Sequence, residues 1–226
     1  MTIAVVQHVP AANSASANPT ATITAASANN LLVAVLGAAG HRISGITPPT
    51  GFASDANKDG VTPTQSIGIY SKVAAGGETT IQFTMGSDRW DLEVYELSGT
   101  ATSSPFDTPG TSTEAASVTS VQPGSKTPGG SGYFMVAAAL ISAGSFGSTP
   151  TIDSGFTIRD TATFSRTAVG DKIKTDALAE NPTIAWLTSH TVDAVMASYK
   201  VLASGIIVPD RSYPAGVARG VCRGVA

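Results

Sequence analysis

The chain has 226 residues, long enough for one large domain or two small ones with a real apolar core. Charged residues make up 13% of it and the formal net charge is −3, which excludes the basic stripe an electrostatic nucleic-acid binder needs. A single cysteine, Cys222, excludes an intrachain disulfide and a thiolate metal cluster, and no run approaches the ~20 apolar residues that cross a bilayer as a helix.

Residues 1–20, "MTIAVVQHVPAANSASANPT", lack a basic n-region, and their apolar run is too short for a secretory signal. They are expected to form an N-terminal arm of a protein made in a cytoplasm and not exported by a cleaved signal. A first β repeat is expected over 21–100. Within it "NLLVAVLGA" is continuously apolar, as in a strand buried on both faces. "SIGIYSKVA" and "TTIQFTM" alternate and favour β-branched and aromatic side chains, with "AAGGE" as the turn between them. "RWDLEVYELSGT" (89–100) closes the repeat. Strand alternation puts Trp90, Leu92, Val94 and Glu96 on one face and Asp91, Glu93, Tyr95 and Leu97 on the other.

A polar, Pro-rich linker is expected over 101–120, a second β repeat over 121–203 and an extended C-terminal arm over 204–226. Turn signals "TPPTG", "KDG", "TPGG" and "GSTPT" recur throughout, and helical periodicity is nowhere sustained. The best helical candidate, "KTDALAEN" (174–181), aligns with the turn "KVAAGGE". The expected fold is an all-β antiparallel sandwich, jelly-roll-like, built from two repeats of about 100 residues.

Four pairs of anchors, in the same order, carry the repeat. Gly51-Phe52 recurs as Gly155-Phe156, 104 positions on; "NLLVAVLGAAG" and "YFMVAAALISAG" end at Gly40 and Gly144, again 104 apart. Tyr95 recurs as Tyr199 at the same offset, and "TTIQF" (79–83) as "PTIAW" (182–186) at 103. Spacing leaves open whether the copies are two sheets of one sandwich or two tandem sandwiches.

"NNLLVAVLG", "VYELSGTATSSPFDTPGTSTEAAS", "GFTIRD" and "VMASYKVL", in this order, resemble a β-sandwich module of phage virion proteins (capsid decoration or tail-associated) and of secreted bacterial surface proteins. In that group a "GNLLVV" strand, a "YxxSGVxxxxPxD" segment and a closing "AxFK" strand follow one another. The resemblance covers about residues 20–203; Asn30 stands where the group has Gly, and "YELSGT" replaces "YSGV". These motifs are structural, so the resemblance implies a surface or virion component and carries over no catalytic residue.

Candidate chemistry is sparse. His8, His41 and His190 stand far apart, without a second ligand at metal spacing, and read as loop or surface imidazoles. No GxSxG elbow or Cys–His pattern occurs, and Gly-rich "TPGGSGYF" lacks the Lys-Ser/Thr pair of a phosphate loop. "DANKDG" matches the first half of an EF-hand loop, with Asp55, Asn57 and Asp59 as oxygen donors and Gly60 at the bend. The bidentate Glu due six residues later is Ser66, and Pro63 intervenes; the competing reading is an Asx turn ending in an Asp-Gly hairpin pair. Trp90 and Trp186 lie in strand-like runs, which suits core packing better than a sugar platform. No catalytic residue, metal or cofactor is therefore assigned.

The tail carries the partner-binding expectation. After Asp210 it has no acid, while Arg211, Arg219 and Arg223 are spaced along a Gly/Ala/Val-rich segment. Ile206, Ile207 and Val208 are expected to add a short strand to a partner sheet, Tyr213 to dock on the partner, and the arginines to lie in an acidic groove. The expected function is a non-enzymatic structural protein of a tailed-phage virion, assembled in the host cytoplasm. It would be an outer capsid decoration or tail-associated subunit that binds capsid or tail proteins and further copies of itself. The alternative is a carbohydrate-binding module on a fibre or cell surface, with a host glycan as partner. Neither nucleic acid nor membrane is an expected partner.

Overall fold

The computed structural model describes residues 2–60, 65–107, 109–142, 144–159 and 166–203, and only the backbone of 11–14. In the first half the strands are β1 (Ala4–Ser16), β2 (Thr20–Thr22), β3 (Leu31–Ala38), β4 (Ala53–Asp59), β5 (Ser66–Val73), β6 (Thr80–Gln82) and β7 (Asp88–Ser98). In the second they are β8 (Thr111–Val121), β9 (Phe134–Ile141), β10 (Thr151–Ile152), β11 (Thr157–Ile158), β12 (Thr167–Ile173) and β13 (Ile184–Tyr199). One 3-10 turn, Ile43–Gly45, is the only helical element among the described residues.

Every strand pairing is antiparallel, and the two halves share one order. The first sheet runs β1-β7-β3-β5-β4, and the second runs β8-β13-β9-β12-β11, with β10 on the far end of β13. Thus β8 stands where β1 stands and β13 where β7 stands. Two segments expected as an arm and a linker contain these outer strands: β1 fills most of 1–20, and β8 begins inside 101–120. Both are edge strands with one neighbour, so neither shows the long apolar run of an inner strand. Main-chain bonding to β7 and β13 makes them strands, not composition.

The sheets pack face to face. Leu31, Val33, Val35, Ile67, Ile69, Tyr95 and Leu97 of the first share one buried cluster with Phe134, Val136, Ala138, Leu140, Val169, Val195, Ala197 and Tyr199 of the second. The two repeats are therefore the layers of one sandwich with a common core. Each sheet is also covered on its outer face. Leu32, Ala34, Leu36, Leu92 and Val94 pack under Ile23, Phe52, Ile81 and Phe83, and Ala139, Ile141, Val192 and Ala194 pack under Phe146 and Trp186. This double coverage explains why β3 and β9 are buried at every position. Fully buried Tyr95, Tyr199, Phe83, Phe134 and Phe146 each contribute roughly 1.5–3 kcal/mol.

Three of the four repeat anchors coincide structurally. Gly51 and Gly155 both turn with positive φ (87° and 74°) just before the outer strands β4 and β11. Ile81 pairs with Ala21 as Ile184 pairs with Val121, and Tyr95 and Tyr199 both point into the shared core. The first-strand anchor is corrected. Val33 pairs with Tyr95 and Phe134 with Tyr199, so Val33 corresponds to Phe134, 101 positions on and not 104. An offset of 104 would equate inward-facing Val33 with Ala137, which lies on the other face.

Candidate functional site

Asp91, Glu93 and Glu96 on β7 are the densest group of carboxylates in the sequence, and all three are buried. They lie neither on a solvent face nor in a cleft, because β7 is the second strand of a sheet covered on both sides. Alternation holds: Trp90, Leu92 and Val94 face the outer cluster, Tyr95 and Leu97 the shared core. Each carboxylate joins segments distant in sequence. Asp91 Oδ2 accepts hydrogen bonds from the Arg166 backbone N–H (2.9 Å) and the Thr167 hydroxyl (3.1 Å) at the start of β12 in the facing sheet. Glu93 Oε2 meets His8 Nε2 at 2.9 Å, tying β7 to β1, and lies 3.5 Å from the Tyr95 hydroxyl. Glu96 Oε1 accepts from Ser27 N (2.8 Å) and Asn30 Nδ2 (2.6 Å), and its other oxygen accepts from Gln7 Nε2. Burial opposes its ionisation, but these donors outweigh burial and hold its pKa below the usual glutamate value.

The two equivalent tyrosines each face charged groups of the other sheet. Tyr199, fully buried on β13, donates its hydroxyl to Asp55 Oδ2 on β4 of the other sheet at 2.6 Å. Tyr95 on β7 lies in the field of Asp171 on β12 and of Arg159 just after β11. Asp171 and Arg159 form an ion pair, with Nη2 to Oδ2 at 2.9 Å. Burial first, then neighbouring carboxylates, push both phenols well above 10, so both stay neutral. Burial also raises the Asp55 pKa against the lowering effect of Ser71 and Tyr199. A further buried carboxylate, Asp193 on β13, has no exposed surface and sits beside Gln65, which is equally buried. The repeats also share a loop clamp: Lys72 pairs with Glu78 at 3.0 Å, and its counterpart Lys174, buried, with Glu180 at 2.5 Å. The second copy adds Lys172, 2.6 Å from Glu180.

"DANKDG" is a strand over most of its length and not a loop, because β4 is drawn out by pairing with β5. Asp55 takes the Tyr199 hydroxyl, Asn57 donates to Ser54 Oγ at 3.0 Å, and Asp59 accepts from the Ile43 N–H at 2.7 Å. Asp55 and Asp59 thus each commit an oxygen to a different partner, while Asn57 is engaged through its amide nitrogen. No group of three or more His, Cys, Asp or Glu among the described residues could hold a metal ion. His41 pairs with Asp88 (3.1 Å) and His190 with the Ser145 carbonyl (2.9 Å), whereas His8, read as a loop or surface imidazole, is a mostly buried strand residue. Trp90 and Trp186 are each 7% exposed and belong to the outer apolar clusters. The partner-binding set Ile206, Ile207, Val208, Arg211, Tyr213, Arg219 and Arg223 lies outside the described residues.

Two surface features were not singled out from sequence. An open groove of about 730 Å3 is lined by Val9, Pro10, Ser16, Asn18, Thr22, Gln82 and Trp90, among others. A second, of about 350 Å3, lies between the sheet edges β4 and β8 and includes Asp55, Asn57, Phe106, Gly110, Thr111 and Ser112. Both depend on which edges meet, and so on long-range pairing. No helix among the described residues is long and apolar enough to cross a membrane. Comparison with protein-family models, with curated proteins and with solved structures finds no match to this chain.

Proposed function

We propose that this chain is a non-enzymatic structural subunit of a tailed-phage virion, an outer capsid decoration or tail-associated protein held to its neighbours by its extended tail. The observation that carries this reading is the division of charge between body and tail. The whole chain has a formal charge of −3; residues 204–226, with three Arg and one Asp, contribute +2, leaving −5 on residues 1–203. A basic, apolar-tipped segment on an acidic sandwich suits docking on another copy or on a similar acidic partner.

The body supports the same division of labour. Its outer strands are blunted against indiscriminate pairing: β1 carries Pro10 and two register breaks, β4 carries a break, and Lys58 and Glu114 bridge the β4 and β8 edges at 3.3 Å. In this reading a partner's Ile206–Val208 adds as a short strand to a sheet edge, and Arg211 pairs with an acidic group beside it. Deletion of 206–226 should leave the circular dichroism spectrum and melting temperature unchanged and abolish incorporation into particles. Full incorporation of the truncated chain would refute the proposal. Copy number per particle, by quantitative mass spectrometry, separates its two forms: hundreds for a capsid decoration, a handful for a tail part.

A further inference from the structure

We infer that the groove between β1, β2 and β6 is a binding site for an uncharged oligosaccharide. The inference rests on the chemistry of the groove and on where it departs from the internal repeat.

The second repeat shows what the groove would be if the two copies were alike. There β8 runs without interruption to Val121 and pairs with both ends of β13, at Val192–Met196 and at Ile184–Ala185. In the first repeat the same pairing is split into β1 on β7 and β2 on β6, with the chain breaking at Ala17–Pro19. That break opens the groove. It is also held open by specific bonds. Asn18 adopts a left-handed conformation, φ 59°, and its Oδ1 accepts the Met85 N–H at 3.3 Å. The Pro19 carbonyl accepts from Phe83 N at 2.9 Å, and the Ser16 carbonyl from the Trp90 indole N–H at 3.1 Å. At the repeat offset of 104, Trp90 corresponds to Ala194, so the first copy alone places an indole here. A site built by bonds made only in one copy is pre-organised, which lowers the cost of binding.

The lining decides the ligand class. None of the described side chains that line it is charged, so a phosphate, a carboxylate or an ammonium group would leave water without a counter-charge. Amide and hydroxyl groups of Asn18, Thr20, Thr22 and Gln82 alternate with the apolar surfaces of Val9, Pro10 and Trp90. Gln82 Nε2 donates to Thr20 Oγ1 at 2.9 Å and that hydroxyl donates to the Asn18 carbonyl at 2.8 Å, which fixes the polar row. Sugars present the matching pattern: C–H faces for the apolar floor, with a rim of hydroxyls that donate and accept. The volume, about 730 Å3, lies in the range of small-ligand sites.

The test uses the full chain carrying Trp186→Phe, a change to the residue that the first repeat holds at the matching position, Phe83. Trp90 is then the only tryptophan and reports on the groove. Maltohexaose, cellohexaose and mannohexaose are titrated, with an oligogalacturonate of equal length as the charged control. At least one neutral probe should give a saturable change with a dissociation constant in the millimolar range, and the charged control none. Ala17→Arg, on the exposed rim, and Gln82→Ala should each weaken that binding by about tenfold or more at an unchanged melting temperature. The inference is overturned if no neutral probe saturates, if the charged control binds as well, or if both variants bind like the parent. None of these outcomes involves the tail, so the virion reading stands or falls separately.

Discussion

Asp193 shows how far residue type alone misleads about role. It has no exposed surface, and burial raises its pKa to about 6; the Gln65 amide opposes the rise, Glu114 adds to it, Lys58 opposes it and Asp59 adds to it. In the unfolded chain an aspartate titrates near 3.9. The folded state therefore holds this proton more tightly. Its contribution to stability is fullest below about pH 4, declines as the pH rises towards 6 and is level above that. Asp193→Asn, which mimics the neutral acid, should remove this decline and stabilise the protein at pH 7.5 by up to roughly 2–3 kcal/mol. Urea unfolding of both proteins at several pH values checks it; a constant difference across the range would contradict it. Glu96 has the opposite sign. Its lowered pKa contributes stability above the unfolded glutamate value, lost as the pH falls through the folded one. Glu96→Ala leaves the Gln7, Ser27 and Asn30 donors without their acceptor, and should cost about 3 kcal/mol in the same assay. The faces of β7 were legible from alternation, but the burial of its carboxylates was not. Their partners on β1, on the Ser27–Asn30 turn and at Arg166–Thr167 are set by tertiary pairing, which a local pattern does not encode.

At the scale of elements, the repeat is legible where turn chemistry or a large side chain marks it and obscure elsewhere. Gly51-Phe52 and Gly155-Phe156 stand out because both glycines need positive φ and both phenylalanines are buried. The inner strands β3 and β9 misalign in sequence because continuous apolar runs carry no face information, so an odd shift passes unnoticed until strand pairing is known. The outer strands β1 and β8 were hidden by their Ala/Ser/Thr content. Close approach of the sheets also depends on small residues. Gly37 on β3 faces the second sheet, where an added Cβ would lie 2.3 Å from Thr167 Oγ1 and 3.1 Å from Leu140 Cδ1. Gly37→Ala should therefore destabilise the protein by about 1–3 kcal/mol, measured by thermal or urea unfolding. Unchanged stability would show that the sheets have room to separate there.

For the molecule as a whole, the two repeats are joined through one core. Two inter-sheet bonds run from hydroxyls of the second sheet to carboxylates of the first, Thr167 to Asp91 and Tyr199 to Asp55. Neither sheet alone would keep its core residues dry, so the halves should fold only together. Single-tryptophan variants test this most directly, because Trp90 lies on the first sheet and Trp186 on the second. Within each variant, the unfolding curve from tryptophan fluorescence should superimpose on that from far-ultraviolet circular dichroism, with one calorimetric transition whose enthalpy equals the van't Hoff value. Two separated transitions, with Trp90 and Trp186 each following only one, would contradict the shared core.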